Sequence, residues 1–200
     1  MLESVVRRER AIMLAGIAVL VMLAWLYLFR LARYMADMAE MGMPVMAAWS
    51  PAEAALAAAM WLVMMVAMML PSATPMIVMF TTVNPRRLAA GGPPYVNIGL
   101  LVLGYLVVWG AFSVVAALAQ WGLQAAALTS EDAMAVTPVV ASGLLAAAGV
   151  YQLTPLKSAC LARCRTPLGF LLSEWRGGGR GALVMGVRHG LFCLGCCWVL

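Results

Sequence analysis

In 200 residues the chain carries 65% hydrophobic side chains and only 10% charged ones, with a mean hydropathy of +0.96, which excludes a soluble domain folded round one buried core. The formal charge of +5 does not argue for a nucleic-acid partner, because the basic residues stand in short clusters between apolar runs and not along one surface. The composition predicts an all-α fold, a polytopic transmembrane helical bundle in one integral membrane domain over residues 1–200.

The first apolar run, residues 11–29, follows Arg7, Arg8 and Arg10 and so looks like a secretory leader. It is longer than a signal core of roughly 7–15 residues, and no small-residue cleavage site follows, so it reads as a retained first span. A span needs about 20 mostly apolar residues, and runs 54–80, 95–121 and 135–153 also meet that length. A fifth run, 182–200, is cut off: the chain stops on Cys196, Cys197, Trp198, Val199 and Leu200 without a polar flank, so the expectation is four full spans, a truncated fifth and a missing C-terminal segment.

Lysine and arginine set the expected orientation. Arg7, Arg8 and Arg10, then Arg86 and Arg87, then Lys157, Arg163, Arg165, Arg176 and Arg180 belong on one side, with the N-terminus cytoplasmic. Asp37, Glu40 and Glu53 beside Arg30 and Arg33, and Glu131 with Asp132, suit the outside. Within the second span Pro71 and Pro75 are expected to kink or break the helix. Ser72 and Thr74 can satisfy carbonyls freed there, and the inner half is expected to be packed or irregular. Gly91, Gly92, Pro93 and Pro94 predict a turn, and Gly177 to Gly179 a flexible link. The apolar stretch 167–175 is too short to span and suits an interface.

All five cysteines and the single histidine lie in the last part of the chain, as Cys160, Cys164, His189, Cys193, Cys196 and Cys197. At 100° per residue, His189, Cys193 and Cys196 share one narrow helical stripe, with Met185 just before it and Cys197 at its edge. Cys160 and Cys164 are spaced i, i+4 and face one way. Gly186, Gly190 and Gly195 let another helix approach the same region. Buried thiols are ordinarily inert packing residues; grouping them with an imidazole points instead to a soft metal ion, which balances thiolate charge in apolar surroundings. Arg188 either snorkels, pairs with Glu174 or compensates thiolate charge.

Methionine is the second anomaly, with 17 residues. Met35, Met38, Met41, Met43 and Met46 fall in one expected external segment, where thioethers suit Cu(I) without deprotonation. Met60, Met64 and Met68 form one stripe of the second span, and Met65, Met69 and Met76 another nearly opposite, which is too wide for one narrow path and equally suits gap-filling. Nothing supports hydrolytic chemistry: a lone histidine without an intramembrane carboxylate pair builds no triad, and there is no phosphate-binding glycine loop. No catalytic residue is assigned.

The segments Tyr151-Gln-Leu-Thr-Pro-Leu-Lys157, Pro167-Leu-Gly-Phe170 and Arg188-His189-Gly-Leu-Phe-Cys193-Leu-Gly-Cys196-Cys197-Trp198, together with Met64-Met65-Val-Ala-Met68-Met69-Leu-Pro71 and Pro75-Met76, carry a family resemblance. The chain resembles an uncharacterised bacterial family of predicted metal-binding integral membrane proteins, domain of unknown function 2182. That resemblance covers most of the chain. It implies a multi-pass protein of the bacterial inner (cytoplasmic) membrane with a metal site at the Cys and His positions named above.

The expected function is soft-metal binding in copper acquisition, trafficking or delivery, with Cu(I) as the ion and Zn(II) as the alternative. External methionines capture the ion, the second span with Met64 and Met68 passes it inward, and the thiols with His189 and Met185 hold it. The expected partners are the lipid bilayer, the ion and a metallochaperone or membrane-complex partner, with no nucleic acid. A membrane thiol-disulfide oxidoreductase, using Cys193-x-x-Cys196 or the vicinal pair with Cys160 and Cys164, is the rival from enzyme chemistry. A non-catalytic subunit of a membrane complex is the third reading. The balance is against an enzyme.

Overall fold

Five prolines mark where helices start. The computed structural model describes residues 2–41, 50–87, 94–126 and 136–199. Its elements are α1 (Leu2–Glu40), α2 (Pro51–Arg87), α3 (Pro94–Ala125), α4 (Pro138–Gln152), α5 (Pro155–Arg165), α6 (Pro167–Glu174) and α7 (Gly178–Cys197). Helices α2 to α6 all open on proline, whose fixed φ and missing N–H suit the first helical position. Ser50 and Glu53 cap α2 reciprocally: the Ser50 N–H donates to the Glu53 carboxylate at 2.5 Å, and the Glu53 N–H donates to the Ser50 hydroxyl at 3.3 Å. Thr154 caps α5 by accepting from the Lys157 N–H at 3.3 Å.

The all-helical expectation holds for the described residues, and three helices are long and apolar enough to cross a membrane: Ala11–Met38, Pro51–Val83 and Asn97–Ala125. Each coincides with an expected span but outruns it. The expected fourth span is met only in part: α4 has 15 residues, about 22 Å of helix against a hydrocarbon core of about 30 Å. It qualifies only together with α5, and the pair is bent by 67°. Helix α7, the expected fifth span, does not qualify by length and composition, because Arg180, Arg188, His189 and its glycines dilute its apolar residues.

Two local expectations are also corrected. Helix α2 runs unbroken through Pro71 and Pro75; the Ser72 and Thr74 hydroxyls donate to the carbonyls of Met69 and Leu70 at 2.7 and 3.2 Å, and not to those of Ala67 and Pro71 that the prolines leave without an N–H donor. Its inner half is packed, with Ala73, Met76, Ile77 and Phe80 buried. Gly178 and Gly179 are no loose link but the first residues of α7, with Gly178 at φ 73° and Gly177 as the N-cap. The expected turn at Gly91 to Pro93 lies outside the described residues, as do Glu131 and Asp132. The short apolar stretch is α6, which buries Phe170 and Leu171 in the core.

The chain folds as antiparallel α1, α2 and α3, and α7 then lies parallel to α3. Trp61 donates to Gln120 across α2 and α3 at 2.8 Å, while α3 and α7 meet in register from Asn97 beside Gly179 to Val108 beside Gly190. Backbone touches backbone where they cross: a Cβ on Gly104 would overlap the Leu183 carbonyl, and one on Gly186 the Leu101 carbonyl. Ala182, Gly186 and Gly190, four residues apart, form the small-residue seam that permits this approach. The core gathers round it from Met69, Met76, Phe80, Tyr105, Trp109 and Met185. Outside it, α1 leaves Leu20, Met22, Leu23, Leu26 and Phe29 exposed, and α4 buries no side chain.

The seam makes an asymmetric prediction. Gly186→Val forces the helices apart and should lower stability by about 2–3 kcal/mol; Gly110→Ala, in a helix and with nothing within 4 Å of its Cβ position, should raise it by up to about 1 kcal/mol. Unfolding of the detergent-solubilised variants followed by circular dichroism checks both.

Candidate metal centre

Helix α5 lies antiparallel to the second half of α7, and the thiols meet along that contact. Gly195 opens the seat for Cys160: a Cβ there would stand 2.6 Å from the Cys160 Sγ. One turn on, the Cys164 Sγ lies 3.9 Å from the Cys196 Sγ. The Sγ atoms of Cys193, Cys196 and Cys197 all lie within 4.8 Å of one another. No described cysteine is in a disulfide. Four sulfurs therefore form one basin, floored by buried Cys193 and Cys196 and rimmed by half-buried Cys164 and Cys197, with half-buried Cys160 beside it against Gly195.

Each floor thiol is held from outside the basin. The Cys196 thiol donates to the Cys193 carbonyl at 3.2 Å. Cys193 lies 3.3 Å from the Tyr105 hydroxyl, which donates to the Met69 carbonyl at 2.9 Å. Through this one hydroxyl the basin is tied to α3 and to the proline-bearing part of α2. At the far end the Tyr151 hydroxyl donates to the Gly195 carbonyl, and its ring meets Trp198 edge-on at 5.5 Å, fastening the end of α4 to the end of α7.

The donor set fits a thiophilic ion. With metal–sulfur bonds of about 2.3 Å, two sulfurs on one trigonal or tetrahedral ion stand on the order of 3.8–4.0 Å apart, the spacing of Cys164 and Cys196 at 3.9 Å. The vicinal Cys196 and Cys197 sulfurs at 3.2 Å would part slightly to share one. Thiolates are costly to form in apolar surroundings without a partner. Of the roles open to Arg188, the structure selects the ion pair: its guanidinium is bound to the Glu174 carboxylate. The Arg163 guanidinium instead sits over the Phe192 ring at 5.8 Å.

The remaining sequence candidates are spread out. His189 is one turn before Cys193 but lies outside the close thiol group, 4% exposed, between the Tyr105 and Phe170 rings at centroid distances of 5.9 and 5.3 Å. Its Nδ1 is buried without a hydrogen-bond partner. Met185 is fully buried in the core. Of the span methionines, Met64 is half-buried against the core and Met68 is exposed, whereas Met65, Met69 and Met76 face inward. Met35 and Met38 belong to the last turns of α1 and not to a loop, with exposed Met41 just beyond; Met43 and Met46 lie outside the described residues. Sequence reasoning missed Tyr105 and Gly104, and the only signal was their position one residue apart in an otherwise aliphatic run.

Replacing Tyr105 by Phe removes the bridge while keeping the ring. It should cost about 1–2 kcal/mol, read in the same unfolding assay, and the loss should shrink when Cys193 is already Ala.

Residues 58–200 match the family model PpoB2, described as a copper chaperone. The matched region contains every cysteine and His189, and it leaves out Met35, Met38, Met41, Met43 and Met46. No curated protein and no solved structure matches the chain.

Proposed function

The chain belongs to the PpoB2 copper chaperone family, and on that premise we propose that it is an integral membrane carrier that holds Cu(I) on Cys193, Cys196 and Cys197, with Cys164 completing the set, and passes it to a protein acceptor. The observation that carries this reading is the meeting of three thiols within 4.8 Å beside a fourth, inside the segment that matches the family. Grouped thiolates take Cu(I) and Zn(II) alike, and Cu(I) is favoured by the copper chaperone description of the family. Half-buried Cys160, Cys164 and Cys197 give an incoming ligand access from one side, which transfer by stepwise ligand exchange requires.

Membrane placement is supported by three helices of sufficient length and by the apolar side chains that α1 and α4 expose. In this reading the protein sits in a bacterial inner membrane with its N-terminus cytoplasmic, an orientation that rests on the arginine and lysine pattern. The resemblance to domain of unknown function 2182 supports the same thiol ligands. Met35, Met38, Met41, Met43 and Met46 act as an outer capture segment appended to the family's common region.

A second reading, thiol-disulfide exchange, is favoured by one observation, the 3.2 Å approach of the Cys196 and Cys197 sulfurs. The two readings part on one experiment. Protein purified under reducing conditions and loaded with Cu(I) should lose at least about 100-fold in affinity as C196S/C197S, beyond the ~10–100-fold typical of losing an outer-shell partner. Unchanged copper affinity in that variant, with a mixed disulfide to a partner protein trapped by a single-cysteine variant, would sink the carrier reading and support the exchange one.

A further inference from the structure

His189 is buried and stands outside the close thiol group. Its Nδ1 has no partner, although the side chain is 4% exposed, and a buried polar nitrogen left unpaired is rare enough to call for a ligand. No neighbouring group bonds it, and the Trp109 Nε1–H in the same core is likewise buried without a partner. The Tyr105 hydroxyl, whose ring stands against the imidazole, already gives its proton to the Met69 carbonyl, and Phe170 offers only a ring edge. What the surroundings do hold is thioether sulfur. Met185 lies one helical turn before His189 on the same face of α7 and is 0% exposed. Met76, 1% exposed, and Met69 come from α2 into the same contiguous cluster.

We propose that His189 and Met185, with Met76 from α2, form a second Cu(I) site in the interior between α2, α3 and α7, separate from the thiol basin and one turn from it. Imidazole and thioether are neutral donors with affinity for Cu(I). The site therefore needs no deprotonation and holds the ion less tightly than thiolates do. His189 and Cys193 are i, i+4 on α7, about 6 Å along the helix, so an ion can step between the two sites by exchanging one ligand at a time.

This deepens the carrier reading and rests on it, and its test separates the two. The full chain, detergent-solubilised and anaerobically loaded with Cu(I), is compared with H189A, M185L and C196S/C197S for copper per chain, thiolate-to-copper absorption and copper–nitrogen scattering by X-ray absorption. M185L keeps the side chain's shape and removes only the donor, so it covers the chance that H189A misfolds. Both interior variants should lose about one copper per chain while keeping the thiolate band. C196S/C197S should lose that band and keep the nitrogen signal. Wild-type copper content in M185L, or no nitrogen signal in the wild type, would overturn the interior site. Loss of nitrogen signal together with the thiolate band in C196S/C197S would assign His189 to the basin instead, leaving the carrier reading intact. Failure of the wild type to hold Cu(I) would overturn both.

Discussion

Everything that brings chemistry together in this protein depends on two backbones touching. Gly104 and Gly186 let α3 and α7 meet with no side chain between them. Only at that separation can the Tyr105 hydroxyl reach both Cys193 on α7 and Met69 on α2. In an apolar solvent no hydrophobic force draws helices together, so close van der Waals packing and a few interhelical hydrogen bonds must do so. The glycine seam supplies the first and Tyr105 the second. The thiols of α7 are thereby fixed on one side, and α5 is left to close the basin from the other.

That division gives the basin a buried floor and a half-buried rim. Cys193 and Cys196 belong to the face of α7 that α3 and α5 cover, while Cys160, Cys164 and Cys197 are only half-buried. The short helices α5 and α6 complete the packing against α7. Proline starts each of them, and they are tied to α7 by side-chain contacts of modest strength: Arg163 on Phe192, Phe170 against His189 and Phe192, and Glu174 with Arg188.

The sequence made the first three long helices legible because hydropathy integrates over twenty residues and tolerates local detail. It also made the thiol stripe legible, since helical geometry alone aligns Cys193 and Cys196. Boundaries were harder: Met35 and Met38 are good helix formers, and nothing before Glu40 stops α1. Composition could not say which methionine stripe of α2 faces protein, because lipid and protein interior are equally apolar. Met65, Met69 and Met76 are turned inward and Met68 outward by the position of α3, which no local pattern encodes. The same holds for Tyr105, whose role exists only once three helices far apart in sequence have met. His189 shared the predicted stripe, yet its ring packs between Tyr105 and Phe170, outside the close thiol group.

The pairing of Arg188 with Glu174 reaches beyond the anchoring of α6. A guanidinium already engaged with a carboxylate contributes almost no net positive field to the thiols one to two turns further along α7. Each thiol that became a metal ligand would have to give up its proton. Metal loading is thus an exchange of ion for protons. Protons released into a low-dielectric pocket would need a way out, and the half-buried edge between α5 and α7 is where they and an arriving ion would have to pass one another.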